Sequence, residues 1–272
     1  MLSKMSLMIY FVISLGFSML AHGASNTRVV TNYSQLDGFG SQFLHVIATV
    51  MFAQMHGMKF VYTPFTTMEH NYDNDPDFIA KKERLINFID NFEVNTDATT
   101  FKPPHISRFW CYQANLSAFE HSVTSKKIKE VFRANKTIDK HFNNERFNIA
   151  VHVRRPNSHD NRIEGADTPD VFFLTVINKL RQLHGDKAPL FHIYSQGVSR
   201  NFALYEGVDV VLHLNESIED SFIAMVAADA LVTSPSAFSY CAALLSKGIV
   251  YYIPFASVPI SSWISINQLL AP

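Results

Sequence analysis

Apolar and polar positions alternate between two periods along the second half of the chain. Short apolar runs, which are typical of buried strands, are separated by segments with an apolar residue every three or four positions, which predict helices. The predicted strands cover residues 147–153, 190–194, 208–214, 230–233 and 249–253, and the predicted helices cover residues 169–183, 218–228 and 236–246. Strands that alternate with helices predict a parallel sheet covered on both faces.

The first half begins with the same kind of pattern. A β-prone run at residues 28–31 is followed by a glycine turn at residues 37–42, a helical pattern that starts at Phe43, and a second strand at residues 59–62. Gly57 is placed to cap the helix in a left-handed conformation. Strand, turn, helix and strand in this order predict one βαβ unit.

Residues 66–145 are less regular. We predict a helix over residues 79–92, a loop over 96–107, where two prolines stand together, and a helix over 117–141. A polar stretch at residues 142–147 predicts the boundary between two α/β halves, an N-terminal half over 24–145 and a C-terminal half over 146–272. We find no motif in the irregular region that identifies an acceptor.

The first 23 residues differ in kind from the rest. A short basic start is followed by an apolar run over residues 7–20 and by small residues before position 24. This order predicts a secretory signal peptide over residues 1–23, with a signal anchor as the alternative. We therefore expect a protein of the secretory pathway lumen or a secreted one, with no stable membrane span after cleavage.

Composition narrows the class of partner. The chain is 47% hydrophobic and 17% charged, with 23 basic and 24 acidic residues and a formal net charge of -1. A net charge so close to zero does not indicate the basic surface with which proteins bind nucleic acids. The two cysteines, Cys111 and Cys241, show no metal-ligand spacing; they are either two buried thiols or one disulfide of an exported chain.

The run His152-Val153-Arg154-Arg155 ends a predicted buried strand. In open parallel sheets, ligands bind beyond the carboxyl ends of the strands. The guanidinium group presents a planar fork of donors that matches a phosphate, so we expect one arginine to face an anionic ligand while the other braces the loop. The alternative is a surface ion-pair cluster with Asp160, Glu164 or Asp167.

Two further loops lie between a predicted strand and a predicted helix. Ser236, Phe238 and Ser239 belong to a serine-rich loop that opens on the same sheet edge as the arginines, where the N–H groups of a helix start favour an anion. Ordinary helix capping is the alternative explanation. Gly38, Gly40 and Ser41 form the glycine turn of the first half, for which close packing is a sufficient reason.

The three motifs together resemble those of the fucosyltransferase superfamily. The run at residues 152–155 is similar to its His-x-Arg-Arg motif. The stretch over residues 222–239 is similar to its downstream motif, in which a Ser-Phe-Ser-type loop follows a helix that ends in Ala-Asp. The turn at residues 38–42 is similar to its Gly-x-Gly-Asn-Gln turn, with Ser41 in place of the asparagine.

This resemblance implies an α/β fold of the GT-B type, with two Rossmann-like halves and mainly parallel sheets. It implies an inverting, metal-independent transfer of fucose or a related sugar from a GDP-sugar to a glycan or protein hydroxyl, without a cofactor. The β-phosphate would be held by Arg155, the diphosphate and fucose by the serine loop, and guanine or ribose by Asp220. His152 and Arg154 would shape the donor loop.

A general base for the acceptor hydroxyl is expected in the cleft. The candidates are Asp160, Glu164 and Asp167, because they lie on the loop after the arginines. Two other functions remain open. Departures from the family's pattern, such as Pro156-Asn157 after the arginines, fit a catalytically inactive GDP-sugar-binding or glycan-binding relative. The predicted signal peptide also fits an exported sugar-binding protein with two α/β lobes.

Overall fold

The structure, a computed structural model, describes residues 28–142, 144–155, 168–255 and 257–271. The predicted signal peptide, Asp160, Glu164 and Asp167 lie outside the described residues. Within the described part of the chain, no helix combines the length and the apolar character that crossing a bilayer requires.

The predicted βαβ unit is confirmed. Strands β1 (Val29–Thr31) and β2 (Lys59–Val61) pair in parallel, and helix α1 (Phe39–Met55) connects them. Gly57 has a φ of 60°, the left-handed conformation expected of a residue just after a helix. The helix begins four residues earlier than predicted, so Gly40 and Ser41 belong to its first turn and not to a loop.

The second half forms a parallel sheet of six strands. They are β3 (Asn148–His152), β4 (Leu190–Ser195), β5 (Val210–Leu214), β6 (Ala230–Val232), β7 (Ile249–Tyr252) and β8 (Ile264–Ser265), in the spatial order β5-β4-β3-β6-β7-β8. The order reverses between β3 and β6. The carboxyl ends of these two strands form the switch point at which such sheets bind ligands.

The helices of the second half follow the predicted pattern, and the intervening region is more broken than predicted. Its elements are α2 (Phe78–Ile86), α3 (His105–Ala114), α4 (Leu116–Glu120), α5 (Val123–Arg133), α6 (Asp170–Leu183), α7 (Ile218–Ala227), α8 (Ala237–Leu245) and α9 (Ile266–Leu269). The single helix predicted over 117–141 was wrong, because the Ser122 hydroxyl accepts the Ser125 N–H and starts a new helix.

Two other predictions were wrong in detail. Residues 249–253 are not the last strand, since β8 follows β7. The helix predicted over residues 169–183 begins one residue later, at Asp170, with Pro169 in the capping position and no side-chain hydrogen bond there.

Side chains alternate across the central sheet and bury both of its faces. On one face, Ile149, Val151 and Ile193 pack against α6 in one apolar cluster. On the other face, Ala150 and Tyr194 belong to a larger cluster that includes residues of α1, α7 and α8. The βαβ unit and the six-stranded sheet thus share a core, and the predicted boundary between residues 145 and 146 stays a prediction.

Candidate functional site

A cavity of about 490 Å³ opens at the carboxyl ends of β3 and β4 and at the starts of α1 and α8. The three sequence motifs, which are up to 200 residues apart, meet in its wall. The predicted site residues that line it are Gly38, Gly40, Ser41, His152, Arg154, Arg155, Ser236 and Phe238.

The guanidinium group of Arg155 is fixed by residues that sequence reasoning missed. It forms an ion pair with Asp170 at the start of α6, and the Tyr205 hydroxyl donates to the same Asp170 oxygen at 2.6 Å. The Phe202 ring lies 5.2 Å from the guanidinium carbon. Because this side chain remains 18% exposed and lines the cavity, Arg155 is a fixed cationic group at the switch point.

Arg154 lies beside it and is tied to the serine loop through its backbone. Its N–H donates to the Ser234 hydroxyl at 3.0 Å, and that hydroxyl in turn donates to the carbonyl oxygen of His152. These bonds join the ends of β3 and β6. Both arginines line the cavity, and the expectation that one faces an anionic ligand while the other braces the loop stays a prediction.

The serine loop has separate roles for its hydroxyl groups. Ser236 lines the cavity and caps α8, since its hydroxyl accepts the Phe238 N–H at 3.3 Å. Ser239 is fully buried and accepts the Ser234 N–H at 3.1 Å. Its prediction as a donor-binding residue needs correction, because its hydroxyl holds the loop together from behind and is not in the wall of the cavity.

The glycines are explained by close packing. A Cβ atom on Gly40 would lie 2.4 Å from the backbone nitrogen of Phe238, so α1 and α8 touch at this point. A Cβ atom on Gly38 would lie 2.6 Å from the His70 ring. Gly40 thus lets the first half approach the serine loop, and Gly38 lets the segment that carries His70 approach the start of α1.

His152 contributes an uncharged ring to the wall. Burial, with Arg154 as a smaller cause, lowers the pKa of His152 to about 3. Its ring meets the Phe238 ring edge to face, with 5.6 Å between centroids. Its Nδ1 atom is buried and has no hydrogen-bond partner among the described residues. His152 therefore adds shape to the wall, but no charge at neutral pH.

Asp220 does not line this cavity but a neighbouring one that shares Tyr194 and Glu216 with it, so the main cavity does not support its predicted role as the ligand of guanine or ribose. It is exposed and completes the cap of α7, where its N–H donates to the Ser217 hydroxyl at 3.0 Å. The acidic side chain that lines the cavity from this strand edge is Glu216. The available signal was its place directly after β5, at the edge where β3 and β4 also end.

The loop after β2 also contributes to the wall of the cavity and was not singled out in the sequence. Glu69, His70 and Tyr72 line the cavity there, and Asp37 lines it from the segment before α1. His70 has a φ of 72°, an uncommon conformation for this residue type, and its Nδ1 lies 2.5 Å from the Tyr72 hydroxyl. Ionisable groups other than the two arginines thus also lie in the wall of the cavity.

The site combines fixed cations with the start of a helix. Arg155, Arg154 and the first turn of α8 supply N–H donors and positive charge around one volume, which is the arrangement that binds phosphate groups. Within the described residues, no group of three or more His, Cys, Asp or Glu side chains could hold a metal ion. The chemistry best supported is binding of a phosphorylated ligand.

The chain is similar to known proteins in structure but matches none of them in the comparisons of sequence. No family model matches the chain, and no curated protein matches its sequence. Fucosyltransferase NodZ from Bradyrhizobium is similar at 14% identity and a TM-score of 0.47, over 82% of this chain and 94% of that one. NodZ α-1,6-fucosyltransferase co-crystallised with GDP is similar at 14% identity and 0.45, over 84% and 96%.

A third similar structure is the E. coli heptosyltransferase WaaC with an ADP-2-deoxy-2-fluoro heptose, at 14% identity and a TM-score of 0.41, over 90% of this chain and 95% of that one. Two of these three structures are of the fucosyltransferase NodZ, and the third is of a heptosyltransferase.

Proposed function

We propose that the protein is a glycosyltransferase that transfers fucose, or a related sugar, from a GDP-sugar to a hydroxyl group of a glycan or protein. The observation that carries this proposal is the meeting of Arg155 with the serine loop at the switch point of a parallel sheet. A nucleotide sugar presents a diphosphate, which requires fixed donors of this kind.

The transfer proposed is inverting and independent of metal ions. As the bond between the sugar and the diphosphate breaks, negative charge grows on the leaving phosphate oxygen. Arg155 and the first N–H groups of α8 are fixed before the reaction starts, so they stabilise this charge without reorganisation. Arg155 is therefore the proposed catalytic residue in the described part of the site, and His152, Arg154, Ser236 and Phe238 complete the donor wall.

The acceptor hydroxyl loses its proton to a general base. Asp160, Glu164 and Asp167 remain the candidates for this role, on the segment that directly follows the arginines. Their Asn and Gln variants, measured for transfer rate and for donor affinity separately, test this role, because loss of a base slows transfer and leaves donor binding in place.

A screen of nucleotide sugars tests the donor. Thermal unfolding is measured with GDP-fucose, GDP-mannose, a UDP-sugar and an ADP-sugar, and with free fucose. We expect GDP-fucose or a related GDP-sugar to raise the unfolding temperature by mass action. Stabilisation by a free sugar and by no nucleotide would favour an exported sugar-binding protein and contradict the proposal.

Activity is tested on the nucleotide sugar that binds. Release of GDP is followed with and without glycan and glycoprotein acceptors, in EDTA and in Mn²⁺. We expect acceptor-dependent release that EDTA does not abolish. Donor binding with no release under any condition would instead identify a catalytically inactive relative.

The location proposed is the lumen of the secretory pathway or the outside of the cell. The test is N-terminal sequencing of the protein recovered from a secreting host. A mature chain that begins near residue 24 supports the signal peptide, and a recovered chain that still begins at Met1 contradicts its cleavage.

A further inference from the structure

Arg108 of α3 is a buried cation without an acidic partner. Its side chain is 0% exposed, and a guanidinium group stays protonated in proteins. It forms no ion pair with a carboxylate of the described residues. The fold therefore holds a full positive charge away from water and away from negative charge.

Few of the N–H groups of Arg108 are bonded. Its Nη2 atom lies 3.4 Å from the Tyr33 hydroxyl oxygen and 3.3 Å from His45 Nδ1, and both distances are long for hydrogen bonds. The Nε and Nη1 atoms are buried and have no hydrogen-bond partner in the part of the chain that the structure describes. Most of the donors of this guanidinium group thus have no acceptor there.

The neighbouring rings shield the charge of Arg108 without cancelling it. The Tyr33 and Phe109 rings lie 4.8 Å and 6.0 Å from the guanidinium carbon. Burial, followed by Arg108 and His105, lowers the pKa of His45 to about 3, so this ring is uncharged at neutral pH. Aromatic faces stabilise a cation by less than the desolvation of a buried ion costs.

The unbalanced charge of Arg108 is matched by one class of ligand. Buried charges in proteins are paired, because an unpaired one loses its hydration without compensation. A water molecule can accept from Nε or Nη1 but brings no charge. A small anion supplies both the negative charge and the acceptor atoms, and guanidinium groups bind carboxylate oxygens particularly well.

The surroundings of Arg108 border the main cavity. Ser41, which lines the cavity, lies one helical turn before His45 on the same face of α1. Tyr33 is half-buried, and His105, whose ring centroid is 5.0 Å from that of His45, is exposed. A single layer of side chains therefore separates the guanidinium group from solvent.

We propose that Arg108 is the centre of an anion-binding site between α1 and α3. The site takes a small monovalent anion, either a free ion such as chloride or acetate, or the carboxylate group of an acidic sugar that reaches it from the neighbouring cavity. The bound anion balances the buried charge and holds α3 against α1. The inference goes beyond the proposed function and does not rest on it, because the charge of Arg108 is independent of the donor.

Thermal unfolding of the full chain tests the site, with sodium chloride or sodium acetate added to a dilute zwitterionic buffer. The unfolding temperature of the wild type should rise saturably, by about 2–4 °C at a concentration about five times the Kd. Arg108→Met should not show this rise. Without added salt it should unfold at the same temperature as the wild type or higher, because no unpaired charge is buried.

Arg181→Met is the matched control for the salt response. Arg181 also lies over a phenylalanine ring, but it is paired with Asp209. Its substitution should leave the response of the unfolding temperature to both salts as in the wild type. The same response in wild type, Arg108→Met and Arg181→Met would show a general effect of salt and would overturn the proposal.

Arg108→Lys keeps the proposal testable if Arg108→Met does not fold. It keeps the positive charge but lacks the guanidinium donors, so the affinity for chloride should fall about tenfold or more. Line broadening in chloride-35 NMR, with acetate as the competitor, measures this affinity directly. Equal broadening by wild type and Arg108→Lys, or broadening that acetate does not reverse, would overturn the site.

Sugars distinguish the two sources of the anion. Sodium glucuronate, sodium acetate and uncharged glucose are compared at equal concentration in the wild type and in Arg108→Met. A larger rise in the unfolding temperature with glucuronate than with acetate, lost in Arg108→Met, supports the site as one for an acidic sugar. Equal rises support a site for a free ion. A rise with glucose as large as that with glucuronate would overturn the requirement for an anion, whether or not the protein binds GDP.

Discussion

At the residue scale, the site depends on how closely two backbones approach each other. Gly40→Ala would place a Cβ atom 2.4 Å from a backbone nitrogen of α8, and a backbone cannot move aside as a flexible side chain can. We expect a loss of about 1–3 kcal/mol in the free energy of unfolding, the usual cost of overpacking. Urea denaturation measures it.

The control for this prediction is Gly185→Ala. An added Cβ atom at Gly185 meets nothing within 4 Å, so the free energy of unfolding should change by less than about 0.5 kcal/mol. Equal effects of the two substitutions would contradict the close approach of α1 and α8.

The positions of some cavity residues could be predicted from the sequence, and those of others could not. Arg155 and Ser236 were correctly expected at the same edge of the sheet, because a strand end and a helix start fix where they lie. Two other residues were missed: Asp170, which pairs with Arg155, and Glu216, which lines the cavity. The position of the first depends on the rotation of a helix start, and that of the second on the path of a loop. Neither is set by local periodicity.

At the element scale, Asp220 is expected to act on the helix and not on the ligand. Its N–H and its carboxylate both form hydrogen bonds with the Ser217 hydroxyl. A negatively charged side chain in the first turn also interacts favourably with the helix dipole. Asp220→Ala should lower the free energy of unfolding by about 0.5–1 kcal/mol. Calorimetry should show GDP affinity within about twofold of the wild type.

A large loss of GDP affinity in Asp220→Ala, with unfolding unchanged, would reverse this assignment. Ser122→Ala is the matched control for stability, because Ser122 caps α5 by the same kind of bond, which its hydroxyl accepts from the Ser125 N–H at 3.0 Å.

Elements with strong periodicity were predicted well, and those without it were not. The strands β3, β4, β6 and β7 have near-continuous apolar runs, as expected of strands that are largely buried on both faces, and their existence was predicted correctly. The two-residue strand β8 was not predicted. The region over residues 66–145 was predicted poorly, because its helices are short and end at local features. Asn87, for example, ends α2 with a φ of 62°, although helical spacing continues after it.

At the scale of the whole molecule, buried histidines should make the protein sensitive to acid. Burial lowers the pKa of His45 to about 3 and that of His192 to about 4, and both rings are at most 6% exposed. In the unfolded chain they take up protons near pH 6.5. Because the unfolded state then binds more protons, stability falls as the pH falls from about 6.5 toward 3 to 4.

At pH 5 each of the two rings should lower the free energy of unfolding by about 2 kcal/mol relative to pH 7. Urea denaturation at pH 7, 6 and 5 measures the slope, and His45→Gln should reduce it. His121→Asn, which changes an exposed ring, should leave the slope as it is. A free energy of unfolding that stays constant from pH 7 to pH 5 would show that these rings are not held neutral in the fold.

The α/β class and the parallel sheets could be predicted because period and order along the chain determine them. The core that the βαβ unit shares with the large sheet could not be predicted from the sequence. It depends on the contact between Gly40 of α1 and the start of α8, and these lie about 200 residues apart along the chain. The same contact brings the first glycine motif to the cavity.

The measurement that tests the central claim most directly is the affinity of GDP for wild type, Arg155→Ala and Arg181→Ala by calorimetry. Arg181 is a matched control, since it also pairs with an aspartate, Asp209, and lies over a phenylalanine ring, yet it does not line the cavity. We expect Arg155→Ala to abolish GDP binding and Arg181→Ala to bind like the wild type. Full GDP affinity in a folded Arg155→Ala variant would contradict the account.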